Sequence, residues 1–194
     1  MSRKTLGIVL GIVAPLAIAG AYFMISGGTP SGQPALANID SRTLPVLQAE
    51  FNRHPEQMRV VLLLSPTCPT CLEGASSVEK ILDNHSILAT VFAVWEPMLP
   101  TDWAPPGRLA LRRLQDPRVR QYWDPDHLVA KLFKEAGQTW KVQPECCELN
   151  GFLWDLAVVF SSGQRWNDRL PEPTFLNGTI VGSSSGLAAA LLKP

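Results

Sequence analysis

Residues 59–71 read Arg59-Val-Val-Leu-Leu-Leu-Ser-Pro-Thr-Cys68-Pro-Thr-Cys71. The first half, 59–65, is a short run of β-branched and leucine residues without polar alternation. That is the pattern of a strand buried on both faces in a parallel sheet. From Leu72 to Asp83 the pattern changes: Leu72, Ala75, Val78 and Leu82 share one side, and Glu73, Ser76, Glu79 and Lys80 the other. This spacing predicts an amphipathic helix. Ile87 to Trp95 (ILATVFAVW) is a second apolar run of strand length. Strand, helix and strand together form a βαβ unit. The two cysteines fall where the first strand hands over to the helix.

A C-x-x-C at that junction has a chemical reason. The first cysteine of such a pair sits at a helix N-terminus, where free backbone N–H groups and the helix dipole favour a thiolate. The thiolate is the attacking species, and the second cysteine, one turn on, is near enough to resolve a mixed disulfide. Cys68 is thus the candidate nucleophile and Cys71 the candidate resolving thiol.

Downstream, Glu96 to Gly107 is a Pro-rich loop, and Arg108 to Gln115 reads as a short basic helix. Arg108, Arg112, Arg113, Arg118 and Arg120 form a basic stretch whose default reading is a solvated face. Asp124-Pro125 is a helix-start signal, Asp as N-cap and Pro as first helical residue. Leu128, Val129, Leu132 and Phe133 line one face of that helix up to Gly137. Phe152 to Phe160 (FLWDLAVVF) predicts a strand, 161–164 a turn, and Arg165-Trp166 the opening of a paired strand. Thr174 to Val181 predicts a further strand or small hairpin, and Gly186 to Lys193 a terminal helix. Upstream, Ile39 to Glu56 reads as a helical lead-in.

The order β–CxxC–α–β–α–β–turn–β, covering most of Arg59 to Val181, resembles the thioredoxin superfamily with an insertion after the second strand. The resemblance implies an α/β fold, a thioredoxin-like central sheet with flanking helices, and thiol–disulfide exchange on protein thiols or disulfides, with no cofactor required. The sequence departs from the pattern at two points. Trp154-Asp155 stands where the family has a cis-proline, usually followed by Thr, facing the dithiol; Pro144 comes too early and Pro173 too late. Ser65-Pro66-Thr67 replaces the tryptophan that precedes the first cysteine. In the family that proline helps keep metals off the dithiol, so its loss leaves metal binding open.

Cys146-Cys147 is the second thiol pair. Adjacent cysteines join only with difficulty, so they read as separate ligands or partners, or as a structural disulfide in an exported loop. Together with Cys68 and Cys71 they offer four sulfurs for a soft metal ion such as copper(I), mercury or zinc. A thioredoxin-scaffold metal-binding module is therefore the alternative to an oxidoreductase. A third reading is a non-catalytic domain that recruits a partner through its insertion. There Trp95, Glu96, Asp102, Trp103, Tyr122, Trp123, Asp124 and His127 cluster. Trp95 and Trp123 are expected to pack, Asp124 to cap a helix, and His127 to lie at the surface.

The N-terminus carries the targeting signal. Arg3 and Lys4 precede Thr5 to Ser26, an uncharged, apolar run of the length that spans a bilayer. With basic residues on the cytoplasmic side, the expectation is a single-pass membrane protein with its C-terminal domain outside the cytoplasm. A secreted or periplasmic form after signal cleavage is the alternative. The expected division is anchor 1–26, Gly/Pro/Ser-rich linker 27–38 and one thioredoxin-like domain 39–194. Of 17 Lys and Arg against 17 Asp and Glu, only Arg3 and Lys4 precede that domain, leaving it 15 bases against 17 acids. That balance lacks the basic surplus of a nucleic-acid binder.

Overall fold

The structure is a computed structural model and describes residues 28–193. The predicted N-terminal anchor lies outside the described residues, and among these no helix is long and apolar enough to cross a membrane.

A six-stranded sheet forms the centre, in the order β1 (Ala37–Asn38), β4 (Val119–Trp123), β3 (Ala89–Trp95), β2 (Met58–Leu64), β7 (Leu156–Phe160) and β8 (Phe175–Gly178). Its middle is β2 (Met58–Leu64), the apolar run of the sequence, with Val60 to Leu64 at most 5% exposed. Burying each such side chain contributes about 1.5–3 kcal/mol, which makes this strand the natural centre. β3 (Ala89–Trp95) pairs with it in parallel and in register, Val60 opposite Val91 and Leu64 opposite Trp95. On the other side β7 (Leu156–Phe160) runs antiparallel to β2, and β8 (Phe175–Gly178) antiparallel to β7. Arg165-Trp166 opens no strand; Trp166 packs into the core instead.

β4 (Val119–Trp123) adds in parallel to β3, and the short β1 (Ala37–Asn38) adds to β4. β4 falls in the stretch read as a basic, solvated face. Val119, Gln121 and Trp123 point into the core, while Arg120 and Tyr122 are half-buried on the other face. Gln121 hides the strand from a hydrophobicity reading. It is buried because Trp95 Nε1 donates to its Oε1 (3.0 Å) and its Nε2 donates to Gln33 Oε1 (2.8 Å) and the Leu111 carbonyl (3.0 Å). Gln33 belongs to the expected linker, so 28–38 is partly built into the domain: its Nε2 also donates to the Leu114 and Asp116 carbonyls.

Helices cover both faces. α1 (Leu44–Arg53) and α4 (Leu128–Gly137) pack on one, α2 (Pro69–Asn84) and α5 (Ser184–Leu192) on the other, with the short α3 (Arg108–Leu111) beside α2. α2 begins at Pro69, where proline's fixed φ and missing N–H suit the first helical turn. Gly74 lets α2 approach the C-terminal segment: a Cβ there would lie 2.7 Å from Ile180 Cβ.

Two boundaries differ from the sequence reading. Phe152 to Phe160 is not one strand. β6 (Phe152–Leu153) pairs with β5 (Glu148–Leu149) in a small hairpin, and the chain turns at Asp155 (φ +49°) before β7 begins. The helix announced by Asp124-Pro125 begins only at Leu128, after His127 in a left-handed conformation (φ +54°). Asp124 still caps it from a distance, its Oδ2 accepting from the Val129 N–H (2.8 Å).

Candidate functional site

The ladder sends the chemistry-bearing residues to one edge of the sheet. β2, β3 and β4 are parallel, so their C-terminal ends share that edge, and the start of antiparallel β7 and the end of β8 lie there too. The dithiol follows β2, Glu96 follows β3, Asp124 and His127 follow β4, Asp155 precedes β7, and Gly178 closes β8.

Cys68 occupies the N-cap of α2 and Cys71 lies in its first turn. Both are free thiols, 4% and 0% exposed. Cys68 Sγ shares a hydrogen bond with Thr70 Oγ1 (3.0 Å). The candidate nucleophile is therefore buried almost as fully as its partner. Burial pushes the Cys71 thiol well up, and the nearby Asp155 carboxyl adds to this.

Asp155, on the residues where the family proline was sought, is the site residue to which the sequence reading gave no role. It is 2% exposed. Its carboxyl accepts from the Ile180 N–H (3.2 Å), and the Thr70 and Cys71 side chains lie close beside it. Burial raises its pKa, and those three groups offset part of the rise. The available signal was an acid in the middle of the apolar run FLWDLAVVF: an acid there needs partners, because an unpaired buried charge costs several kcal/mol.

Asp102 fixes the loop ahead of the dithiol. Its Oδ2 accepts from Ser65 Oγ (2.6 Å), the Met98 N–H (3.0 Å) and the Leu99 N–H (2.8 Å). Its Oδ1 accepts from the Thr67 N–H (3.0 Å) and Thr67 Oγ1 (2.7 Å). One carboxylate thus ties the chain entering the C-x-x-C to the loop that follows β3. Its neighbour Trp103 is 80% exposed, whereas Trp95 and Trp123 are packing residues as expected.

Glu96 and Asp124 are both 0% exposed and directly follow the paired last residues of two parallel strands, Trp95 and Trp123. Glu96 Oε2 lies 2.9 Å from His127 Nδ1, and burial pushes the Glu96 carboxyl up to about 7. Glu96 Oε1 and Asp124 Oδ1 are buried with no hydrogen-bond partner. His127 is not at the open surface: its ring stacks on Phe152 of β6 at 4.3 Å.

Cys146 and Cys147 are joined to each other in a disulfide. Among the described residues no group of three or more His, Cys, Asp or Glu side chains is disposed to hold a metal ion. The four sulfurs therefore form two pairs in this oxidation state: a buried dithiol and a disulfide on the loop leading into the β5–β6 hairpin. Asp155 stands between them. Its carboxyl meets Cys71, and its carbonyl and Cys147 Sγ both crowd Gly178, where a Cβ would lie 2.5 and 2.8 Å from them.

A central strand leading through C-x-x-C into a helix, a parallel strand on one side and an antiparallel pair on the other make up the order that the sequence resemblance implied. The fold is thioredoxin-like. The insertion supplies β4, placed between β3 and β1. No protein-family model matches the chain, and no curated protein matches it. Among solved structures, the chain is similar to one described as the solution structure of a thioredoxin-like protein in the oxidized form. The two share 17% identity over 71% of this chain and 78% of that chain, with a TM-score of 0.48.

Proposed function

We propose that this protein exchanges thiols and disulfides with protein partners through Cys68 and Cys71, in a domain held outside the cytoplasm by its N-terminal apolar segment. The observation that carries the reading is the pair of free thiols at the N-cap and first turn of α2, at the edge where β2 ends. In the reductive direction, the Cys68 thiolate attacks one sulfur of a partner disulfide. A Cys68–partner bond forms, and the partner's other sulfur leaves as a thiolate and takes a proton. Cys71 then loses its proton and attacks Cys68 Sγ. The second partner thiol is released, and Cys68–Cys71 is left oxidised.

Cys71 needs help for the second step, because burial holds its proton on. Asp155 is the buried carboxyl beside it, and in this proposal it supplies the acceptor. The export reading is supported by Arg3-Lys4 ahead of the uncharged Thr5–Ser26 run. The test is trapping. A Cys71→Ser variant is expected to accumulate a mixed disulfide with its partner, and Cys68→Ser is not. Equal trapping by both, or by neither, rejects the mechanism. A reporter fused after the last residue is expected to be active outside the cytoplasm only.

A further inference from the structure

A cross-link stabilises a fold by removing entropy from the unfolded chain, and the gain grows with the length of the loop it closes. The Cys146–Cys147 bond joins adjacent residues, so it contributes almost nothing of this kind. The hairpin beside it is held by other means: the Trp154 N–H donates to the Cys147 carbonyl (3.0 Å), and Lys134 Nζ donates to Glu148 Oε1 (2.8 Å) and the Gly151 carbonyl (2.9 Å). The bond is thus free to open without releasing the loop.

Its two sulfurs are not equivalent. Cys146 is exposed, while Cys147 is half-buried, with its Sγ in the space that Gly178 leaves by lacking a side chain. Beside them lies a cavity of about 650 Å³, with Phe133, Trp140, Leu153 and Leu176 in its wall, Glu145 among its polar groups, and the Lys134–Glu148 ion pair at its side. That volume falls within the usual range of small-ligand sites. Both charge signs are present at it.

We propose that Cys146–Cys147 is a second thiol-exchange site, separate from Cys68–Cys71, whose substrate is a low-molecular-weight thiol carrying amino and carboxylate groups, seated in this cavity. The incoming thiolate attacks Sγ of Cys146, the exposed residue of the pair. A substrate–Cys146 bond forms, the Cys146–Cys147 bond breaks, and Cys147 leaves as a thiolate that takes up the proton the substrate gave to solvent. A second thiol molecule then attacks the mixed disulfide. It releases Cys146 as a thiol and departs as the substrate disulfide, so the pair gains two electrons and two substrate thiols are oxidised. The site is independent of the function proposed above, because no step uses Cys68 or Cys71.

The experiment treats the full-length chain, in detergent, with reduced glutathione, then alkylates and maps each cysteine by mass spectrometry. The expected product carries glutathione on Cys146 and the alkyl group on Cys147. It forms in a Cys68→Ser/Cys71→Ser variant at a rate within about twofold of the parent. The preference for glutathione over 2-mercaptoethanol is expected to be larger than in an unstructured peptide of residues 143–150. Glutathione on Cys147, a pair that stays closed, or opening only when Cys68 and Cys71 are present would overturn the proposal. An equal thiol preference in protein and peptide would overturn the cavity as its seat. Failure of the trapping test on Cys68 leaves each of these outcomes readable.

Discussion

Replacing Glu96 with Gln removes a proton-binding group from the core without changing its size. The wild-type carboxyl is 0% exposed, and its pKa rises from the ordinary 4.5 to about 7. Burial is the main cause; Asp124 adds to the rise, while the His127 hydrogen bond and the charges of His127 and Lys131 oppose it. Between those two values the folded protein holds a proton that the unfolded chain releases. The contribution to stability is therefore complete below pH 4.5 and lost as pH rises through 7. A shift of that size, at 1.36 kcal/mol per pH unit, corresponds to about 3 kcal/mol. Glu96→Gln does not titrate, so its stability relative to wild type is expected to climb by about that amount from pH 4.5 to pH 8. Urea unfolding of both proteins at intervals across this range measures the difference, and the titrating groups that do not interact with Glu96 cancel in it. A difference that is flat, or that falls with pH, would refute the reasoning about this buried carboxyl.

Three further perturbations test other parts of the site. Asp102→Ala leaves Ser65, Thr67, Met98 and Leu99 without their acceptor; it is expected to lower stability by about 2–4 kcal/mol and to speed alkylation of Cys68, both measurable on the same preparation. Asp155→Asn removes a negative charge beside Cys71; in a Cys68→Ser background, the pH midpoint for alkylating Cys71 is expected to move down, and an unchanged or raised midpoint would deny the contact. Gly74→Ala sets a methyl group 2.7 Å from Ile180 Cβ; thermal or chemical unfolding is expected to show a loss of about 1–3 kcal/mol from overpacking.

The sequence carried the centre of the fold plainly. RVVLLLS, the helix behind Cys71 and ILATVFAVW are long, one-sided patterns, and each forms the element its pattern predicts. What stayed hidden was β4, because Arg120 and Gln121 break its apolar run and only a tertiary hydrogen-bond set, with Trp95, Gln33 and Leu111, makes Gln121 a core residue. The break at Trp154-Asp155 was hidden for a similar reason. FLWDLAVVF has strand composition throughout, and a left-handed turn at an aspartate leaves no periodic trace. Of the site, Cys68 and Cys71 were legible because their spacing and their place before a helix are local facts. The Glu96–His127 pair was not: its members lie 31 positions apart and meet only because β3 and β4 are neighbours. The Cys146–Cys147 pair is visible in the sequence, but no local pattern says whether its sulfurs join each other or turn to Cys68 and Cys71.

Every reactive group described above stands at one edge of the sheet. The turns at the opposite edge, 54–57, 85–88 and 161–164, lead into β2, into β3 and out of β7. At Gly163 a Cβ would meet nothing within 4 Å, and Leu88 is 62% exposed. This pole is consequently spare ground. A fluorophore on the exposed Ser162, or surface immobilisation through that side chain, leaves the end of the sheet that carries both sulfur pairs unobstructed. The molecule can thus be labelled, tethered or displayed by one end while its chemistry is followed at the other.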